Sequence, residues 1–269
     1  MYKKTHHDSS VVLHFSLVEL LIVISIIAIL ASLLLPALNK ARGRAYAIKC
    51  LSSYSQYGKA SIQYSTDNND WLTPRNNTGI AGGYNEASHI WLNGEITAVS
   101  GKKLGMLPPY LGIHSIAPLS GGRKEKGEIT LHPFICPAAA GYKRSYLESQ
   151  SASNINVYGA GLNGFLETGI KLSRARFPSR SMYCAEIGLP GEQGGVALAK
   201  SDYPASDGNT MVFNHDKRCS VTFIDGHAEL MPFNKVPFSS LHGTTRTGYY
   251  RKSFWYVTDK LGNISNDQW

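Results

Sequence analysis

The sequence predicts an α+β protein: one long N-terminal helix followed by a head built on a mostly antiparallel β-sheet. Three observations carry that expectation. Leu20–Leu38 is an unbroken run of 19 residues without a charged side chain. A proline-free stretch with apolar residues at helical spacing extends it from Asn39 to about Thr66. Beyond lie short runs of β character punctuated by Gly, Pro and Asn, which read as strands and turns. Short strands after a single long helix imply segregated α and β elements rather than alternating ones.

Composition narrows the class. The chain has 269 residues, 43% hydrophobic and 17% charged, which excludes a disordered chain, a collagen and a polytopic membrane protein. Lys and Arg number 27 against 19 Asp and Glu, a net charge of +8. The basic residues are spread along the chain without an interleaved aromatic stripe, so a solvated surface is expected rather than a nucleic-acid partner. The average hydropathy is that of a soluble protein only because one apolar span is averaged with a polar, Gly-rich remainder.

Residues 1–14 read as a short basic leader with Lys3 and Lys4. Residues 15–38 read as a membrane-spanning helix, because 19 residues rising about 1.5 Å each match the roughly 30 Å of a bilayer's hydrocarbon. The run is apolar on all faces, unlike a surface helix. A buried soluble helix and a cleavable secretory signal are the alternatives; the run exceeds the usual signal core, and no clean A-x-A site follows. Glu19 is the only charge between Phe15 and Asn39. A carboxylate in a bilayer needs a partner unless it sits at headgroup depth.

The pattern Phe15-Ser16-Leu17-Val18-Glu19-Leu20-Leu21-Ile22-Val23-Ile24, continued through Ile26–Ala31 to Pro36, resembles the N-terminal signature of type IV prepilins and type II secretion pseudopilins. The resemblance implies cleavage by prepilin peptidase between His14 and Phe15 and methylation of the new amino group. It implies that Glu19 neutralises that amine on a neighbouring subunit during assembly, and that the helix kinks at Pro36. The family usually carries glycine before the cleaved bond, where this chain has His14. Lys40, Arg42, Arg44 and Lys49 follow the span, so charge alone leaves orientation neutral or reversed. The resemblance places the N-terminus in the cytoplasm, the span in the inner membrane and the head outside the cytoplasm. The partners it implies are the membrane, the peptidase and other pilin or pseudopilin subunits.

Residues 39–66 read as the amphipathic half of the same helix, with Ala41, Ala45, Ile48, Leu51 and Ile62 at helical spacings. Ser52, Ser55, Gly58 and Ser61 are small enough to let a sheet approach. Asp67-Asn68-Asn69-Asp70 supplies the stop. Residues 67–269 form the head. Trp71–Gly127 reads as loops with short elements, ending in an exposed charged loop over Gly121–Gly127. Strands are expected at Thr130–Cys136, Asn154–Tyr158, Ser181–Glu186, Thr210–Phe213, Ser220–Ile224 and His227–Met231. A membrane half followed by an amphipathic half on such a head is the pilin arrangement.

The clearest hairpin joins Ser220–Ile224 to His227–Met231 through Asp225-Gly226, a pair suited to a turn with positive φ at both positions. His215 precedes Asp225 by ten residues, giving His-x9-Asp-Gly. This spacing resembles the tail motif of a large bacterial group of prepilin-like proteins, in which Cys136-Pro137 and Tyr158–Asn163 also have counterparts. His215, Asp216, Asp225, His227 and Glu229 were the residues to weigh for a metal or catalytic site. A structural role is preferred: Asp225 serves the turn, His227 and Glu229 alternate on one strand face, and His215 locks a loop through a backbone hydrogen bond. No metal or other cofactor is expected, and no Asp-rich calcium loop is present.

Two further features complete the reading. Gly159-Ala160-Gly161-Leu162-Asn163-Gly164 fits G-x-G-x-x-G, with Glu186 some twenty residues on, but lacks a following helix to receive a pyrophosphate. The four cysteines, Cys50, Cys136, Cys184 and Cys219, lack paired CxxC spacing. Outside the cytoplasm they could pair as Cys50–Cys136 and Cys184–Cys219, with free buried thiols as the alternative. No nucleophile elbow, P-loop or paired-His zinc motif occurs, so no enzymatic activity is expected. The expected function is therefore a membrane-anchored structural subunit. The alternatives are an exported binding protein or hydrolase using the His/Asp hairpin, and a DNA-binding or adhesive minor pilin.

Overall fold

The computed structural model describes residues 16–73, 95–98, 101–112, 121–152, 154–157, 159–163, 166, 170–188 and 211–236. The chain divides into two units, Met1–Arg42 and Gly43–Trp269.

Helix α1 runs from Leu17 to Asp67, 51 residues. At about 1.5 Å per residue this is a helix of roughly 77 Å. Ser16 and Glu19 start it with a reciprocal capping box: the Ser16 N–H donates to Glu19 Oε2 at 2.8 Å, and the Glu19 N–H donates to Ser16 Oγ at 3.2 Å. Pro36 lies inside the helix without interrupting it. From Leu17 to Leu38 every large apolar side chain is exposed, and the helix is long and apolar enough to span a membrane. At the far end, Asn69 and Asp70 take positive φ, and the Asp70 N–H returns to the Ser65 carbonyl. The Asp-Asn-rich stop thus works through the left-handed cap that Asn and Asp tolerate best.

The second unit is mixed α and β, and among the described residues every strand pair is antiparallel. Strands β1 (Glu95–Ala98) and β2 (Gly101–Leu104) form a two-stranded ladder. A short helix, α2 (Pro108–Leu111), follows. Strands β3 (Gly122–Glu125), β4 (Glu128–Leu131) and β5 (Asn154–Val157) form a sheet in the order β4-β3-β5. The segment expected as an exposed charged loop is therefore the β3–β4 hairpin. Lys126 and Gly127, with φ of 50° and 89°, make its two-residue turn. Helix α3 (Pro137–Ser149) was not expected from the sequence. Pro137 opens it at the first helical position, and Ala139, Lys143 and Leu147 form its buried stripe four residues apart.

The main sheet has the order β6-β7-β8-β9: Ala160–Leu162, Met182–Glu186, Arg218–Phe223 and Ala228–Pro232. Of Thr210–Phe213, expected as a strand, Thr210 lies outside the described residues, and 211–213 contribute an isolated bridge between Met211 and Ile187. The second half of α1 lies on one face of this sheet, though Ala41 and Ala45, expected on its apolar side, are exposed, and Leu51 and Ile62 are only partly buried. Ile48 is exposed, and the buried stripe is Cys50, Tyr54, Tyr57, Ala60, Ser61 and Tyr64. The tyrosines bury large rings while their hydroxyls find partners. Tyr54 Oη–H donates to the Gly159 carbonyl at 2.9 Å, and Thr222 Oγ1–H donates to the Tyr54 carbonyl at 2.8 Å.

A bulge in β7 sets which side chains meet α1. The register shifts between Met182 and Cys184, so Tyr183 and Cys184 both join the core on the α1 face. Met182 and Ala185 pack on the opposite face with Cys219, Val221 and Phe223.

Candidate functional site

The β8–β9 hairpin differs in detail from the turn expected at Asp225-Gly226. Only Gly226 has positive φ, 89°, and the Gly226 N–H donates to the Phe223 carbonyl at 3.0 Å. The loop is three residues long, Ile224-Asp225-Gly226, closed where the Phe223 N–H meets the His227 carbonyl. This is a type I turn followed by a left-handed glycine rather than a two-residue turn. Asp225 Oδ1 accepts from the His227 N–H at 3.1 Å and also pairs with the His227 ring. That ring stacks flat on Phe223 at 4.3 Å.

The two-residue turn with positive φ at both positions lies instead at the other end of β8. Asp216 and Lys217 have φ of 52° and 59°, and His215 and Arg218 exchange both backbone hydrogen bonds around them. The two ends of the His-x9-Asp-Gly motif therefore stand at opposite ends of β8, about 20 Å of extended chain apart. His215 and Asp225 are not assembled into one hydrolytic site. Asp216 is exposed toward Arg218, and Asp225 and His227 satisfy one another at the tip, so neither end pools the weighed candidates.

His215 points inward. Its backbone closes the turn over Asp216 and Lys217, and its ring, expected to lock the preceding loop through a backbone group, meets side chains: Nε2 lies 3.4 Å from Cys136 Sγ and 3.4 Å from Glu186 Oε2. Cys50 completes the group, and one ligand atom from each of Cys50, Cys136, Glu186 and His215 lies within 4.8 Å of every other. All four are buried: 2% exposed at Cys50, 3% at Cys136, 1% at Glu186 and 4% at His215. Each comes from a different place: α1, the residue capping α3, the last residue of β7, and the turn before β8.

The electrostatics are those of a coupled cluster. A hydrogen bond from Cys50 stabilises the Cys136 thiolate against its burial, and with His215 it draws Cys136 down to about 6. The same hydrogen bond holds Cys50 protonated, well above its ordinary range. Burial disfavours the His215 imidazolium, yet Cys136 and Glu186 outweigh it and push His215 up to about 9. Burial disfavours the charged Glu186, yet it ends below the usual carboxylate range because the His215 ring beside it and the Asn214 amide favour the carboxylate. Lys143 is fully buried beside the group, and desolvation lowers it to about 8 against the pull of Glu186.

These side chains do not make a nucleophilic triad. A Cys–His–carboxylate triad uses one ring nitrogen for the nucleophile and the other for the carboxylate. Here both Sγ and Oε2 face the same Nε2.

Of the other sequence candidates, His14 and Phe15 lie outside the described residues. All four cysteines are free and buried. Cys50 and Cys136 are neighbours, but Cys184 and Cys219 are not suited to a disulfide. Cys184 pairs with Thr222 and faces α1, whereas Cys219, three residues along β8, faces the opposite side. The glycine motif at 159–164 contains strand β6, paired to β7 from Ala160 to Leu162, where a dinucleotide site would need a helix to begin. Glu186, weighed only as that motif's acidic partner, belongs to the cysteine cluster. Lys143 and Asn214 were not legible as site residues at all, because nothing in their local pattern points to positions 136 or 186.

Compared with protein-family models, curated proteins and solved structures, the chain finds no match in any of the three.

Proposed function

We propose that this chain is a membrane-anchored, pseudopilin-like structural subunit of a type II secretion or type IV pilus-like assembly. The observation that carries the reading is the first half of α1. Every large apolar side chain from Leu17 to Leu38 is exposed, and the one carboxylate of that stretch, Glu19, stands in the first turn. Such a surface calls for hydrocarbon or for copies of the same helix. A carboxylate at its edge calls for a cation. The α-amino group that cleavage before Phe15 would create on a neighbouring subunit is such a cation, four residues from Glu19 in sequence.

In this reading prepilin peptidase removes residues 1–14, the span remains in the inner membrane, and the head stands outside the cytoplasm. The stripe of Tyr54, Tyr57 and Tyr64 that anchors the sheet to α1 supports a pilin-like head, because it makes the anchor helix part of the head's core.

N-terminal sequencing and intact mass of the protein extracted from membranes test the reading. The expected product begins at a methylated Phe15. A chain that keeps Met1 in the membrane would overturn processing, and with it the assembly role.

A further inference from the structure

The cluster of Cys50, Cys136, Glu186 and His215 has a geometry that hydrogen bonding leaves unexplained. Glu186 Oε2 is buried and has no hydrogen bond: the His215 Nε2 lies 3.4 Å away, but not in hydrogen-bonding geometry. An orphaned carboxylate oxygen in the interior is costly, and native structures rarely keep one without a ligand or ion to meet it. His215 Nε2 offers a single proton or a single lone pair, yet it faces both a sulfur and a carboxylate oxygen.

A tetrahedral ion accounts for both facts. With bonds of about 2.0–2.3 Å to nitrogen, oxygen and sulfur, Zn2+ holds its ligand atoms about 3.3–3.8 Å from one another. The His215 Nε2 lies 3.4 Å from Cys136 Sγ and 3.4 Å from Glu186 Oε2, within that range. The donor set of two sulfurs, one imidazole nitrogen and one carboxylate oxygen suits a borderline-soft divalent cation rather than calcium or magnesium.

We propose that Cys50, Cys136, Glu186 and His215 form a closed tetrahedral site for a zinc-type divalent cation.

The surroundings fit that assignment. Asn214 Nδ2–H donates to Glu186 Oε1 at 2.9 Å, fixing the carboxylate so that Oε2 alone faces the centre, as an outer-shell partner of a monodentate ligand does. Two thiolates and a carboxylate bring three negative charges. A divalent cation cancels two, and the ammonium of Lys143, buried beside them, balances the third. Four protein ligands and burial of every one leave no position for substrate, so the role is structural. The ion ties α1 to α3, β7 and the turn before β8, and its binding is part of the head's folding free energy. The first half of the His-x9-Asp-Gly motif is then a metal ligand, independent of whether the chain assembles into a filament.

The full chain, purified in detergent with its thiols reduced and without chelator, provides the test. Elemental analysis should find one zinc per chain. Exchange for Co2+ should give the intense visible bands and sulfur-to-metal charge transfer of tetrahedral thiolate-bound cobalt, a readout that needs no substitution. Cys136→Ser should abolish stoichiometric zinc, and Glu186→Gln should weaken it at least about tenfold. Cys184→Ser, at a buried cysteine outside the cluster, should leave it unchanged. Substoichiometric zinc in a chain whose four thiols titrate as free would overturn the proposal. So would an octahedral cobalt spectrum, or a Cys50–Cys136 disulfide in protein taken from membranes without reductant.

Discussion

Gly58 of α1 and Gly226 of the β8–β9 turn meet backbone to backbone. A Cβ on Gly58 would stand 2.2 Å from the Gly226 carbonyl oxygen, and a Cβ on Gly226 would stand 3.0 Å from Ile62 Cγ1. The glycine of the motif is thus required twice, by its φ of 89° and by the helix that lies against it. Gly58→Ala should destabilise the head by about 2–3 kcal/mol, since the obstacle is backbone and overpacking outweighs the gain in helix propensity. Gly43→Ala, where an added Cβ meets nothing within 4 Å, should stabilise the helix by up to about 1 kcal/mol. Denaturant unfolding of the two variants in the same detergent checks the contrast; equal effects would remove the close contact from the account.

Glu19 caps the helix, and one substitution separates that role from the assembly role proposed for it. Glutamine at this position can still reach back to the Ser16 N–H, because the capping box accepts either residue. Glu19→Gln should therefore keep helix content and membrane insertion while losing subunit assembly, whereas Glu19→Ala should also weaken the helix start by about 1 kcal/mol. Normal assembly of the Gln variant, followed by crosslinking in membranes, would restrict Glu19 to capping.

Acid should weaken the head through His132. Burial lowers this imidazole from 6.5 to about 4, and its Nδ1 accepts the Phe134 N–H at 3.1 Å, a bond that only an unprotonated Nδ1 can make. Between those values the unfolded chain binds a proton that the folded chain refuses. Stability contributed here is full above the unfolded value and falls as the pH drops toward the folded one, by up to about 3 kcal/mol. His132→Asn, which keeps an acceptor but cannot titrate, should flatten the stability profile between pH 6.5 and 4 relative to the parent chain. An unchanged slope in the variant would assign the acid sensitivity elsewhere.

The turn that aims His215 holds two non-glycine residues in the left-handed region. Asp tolerates that conformation and Lys does so poorly, at a cost of about 1–2 kcal/mol. Lys217→Gly should stabilise the head by about 1 kcal/mol in thermal or denaturant unfolding, with zinc content unchanged. A loss of stability would mean that the Lys217 side chain makes a contact worth more than the strain.

What could be read from the sequence divides along physical lines. The apolar run, the Asp-Asn helix stop and the β8–β9 hairpin were legible because each is a local pattern whose cause lies within a few residues. The type of the hairpin turn was not, because register with β9 adds Ile224 to the loop. Helix α3 went unread: the sequence suggested a strand up to Cys136, whereas Pro137 opens a helix there, with Gly141 on its exposed side. The stripe of tyrosines on α1 escaped a search for aliphatic periodicity. The cluster was least legible of all: Cys50 and Cys136 were singled out together as a disulfide candidate, and His215 apart from them as a loop lock. Their meeting with Glu186 depends on the pairing of β7 with β8 and on which face of α1 the sheet covers.

Strand β8 makes the nine intervening positions of the motif a molecular ruler. They comprise the two turn residues Asp216 and Lys217, the six residues of β8 and Ile224. At one end the ruler sets an imidazole against the cysteines, and at the other it sets a glycine against α1. Because successive strand residues face opposite sides of a sheet, removing or adding one residue would invert one end relative to the other. Such a chain would still contain histidine, aspartate and glycine in order, yet it could satisfy the metal ligands or the helix contact, not both.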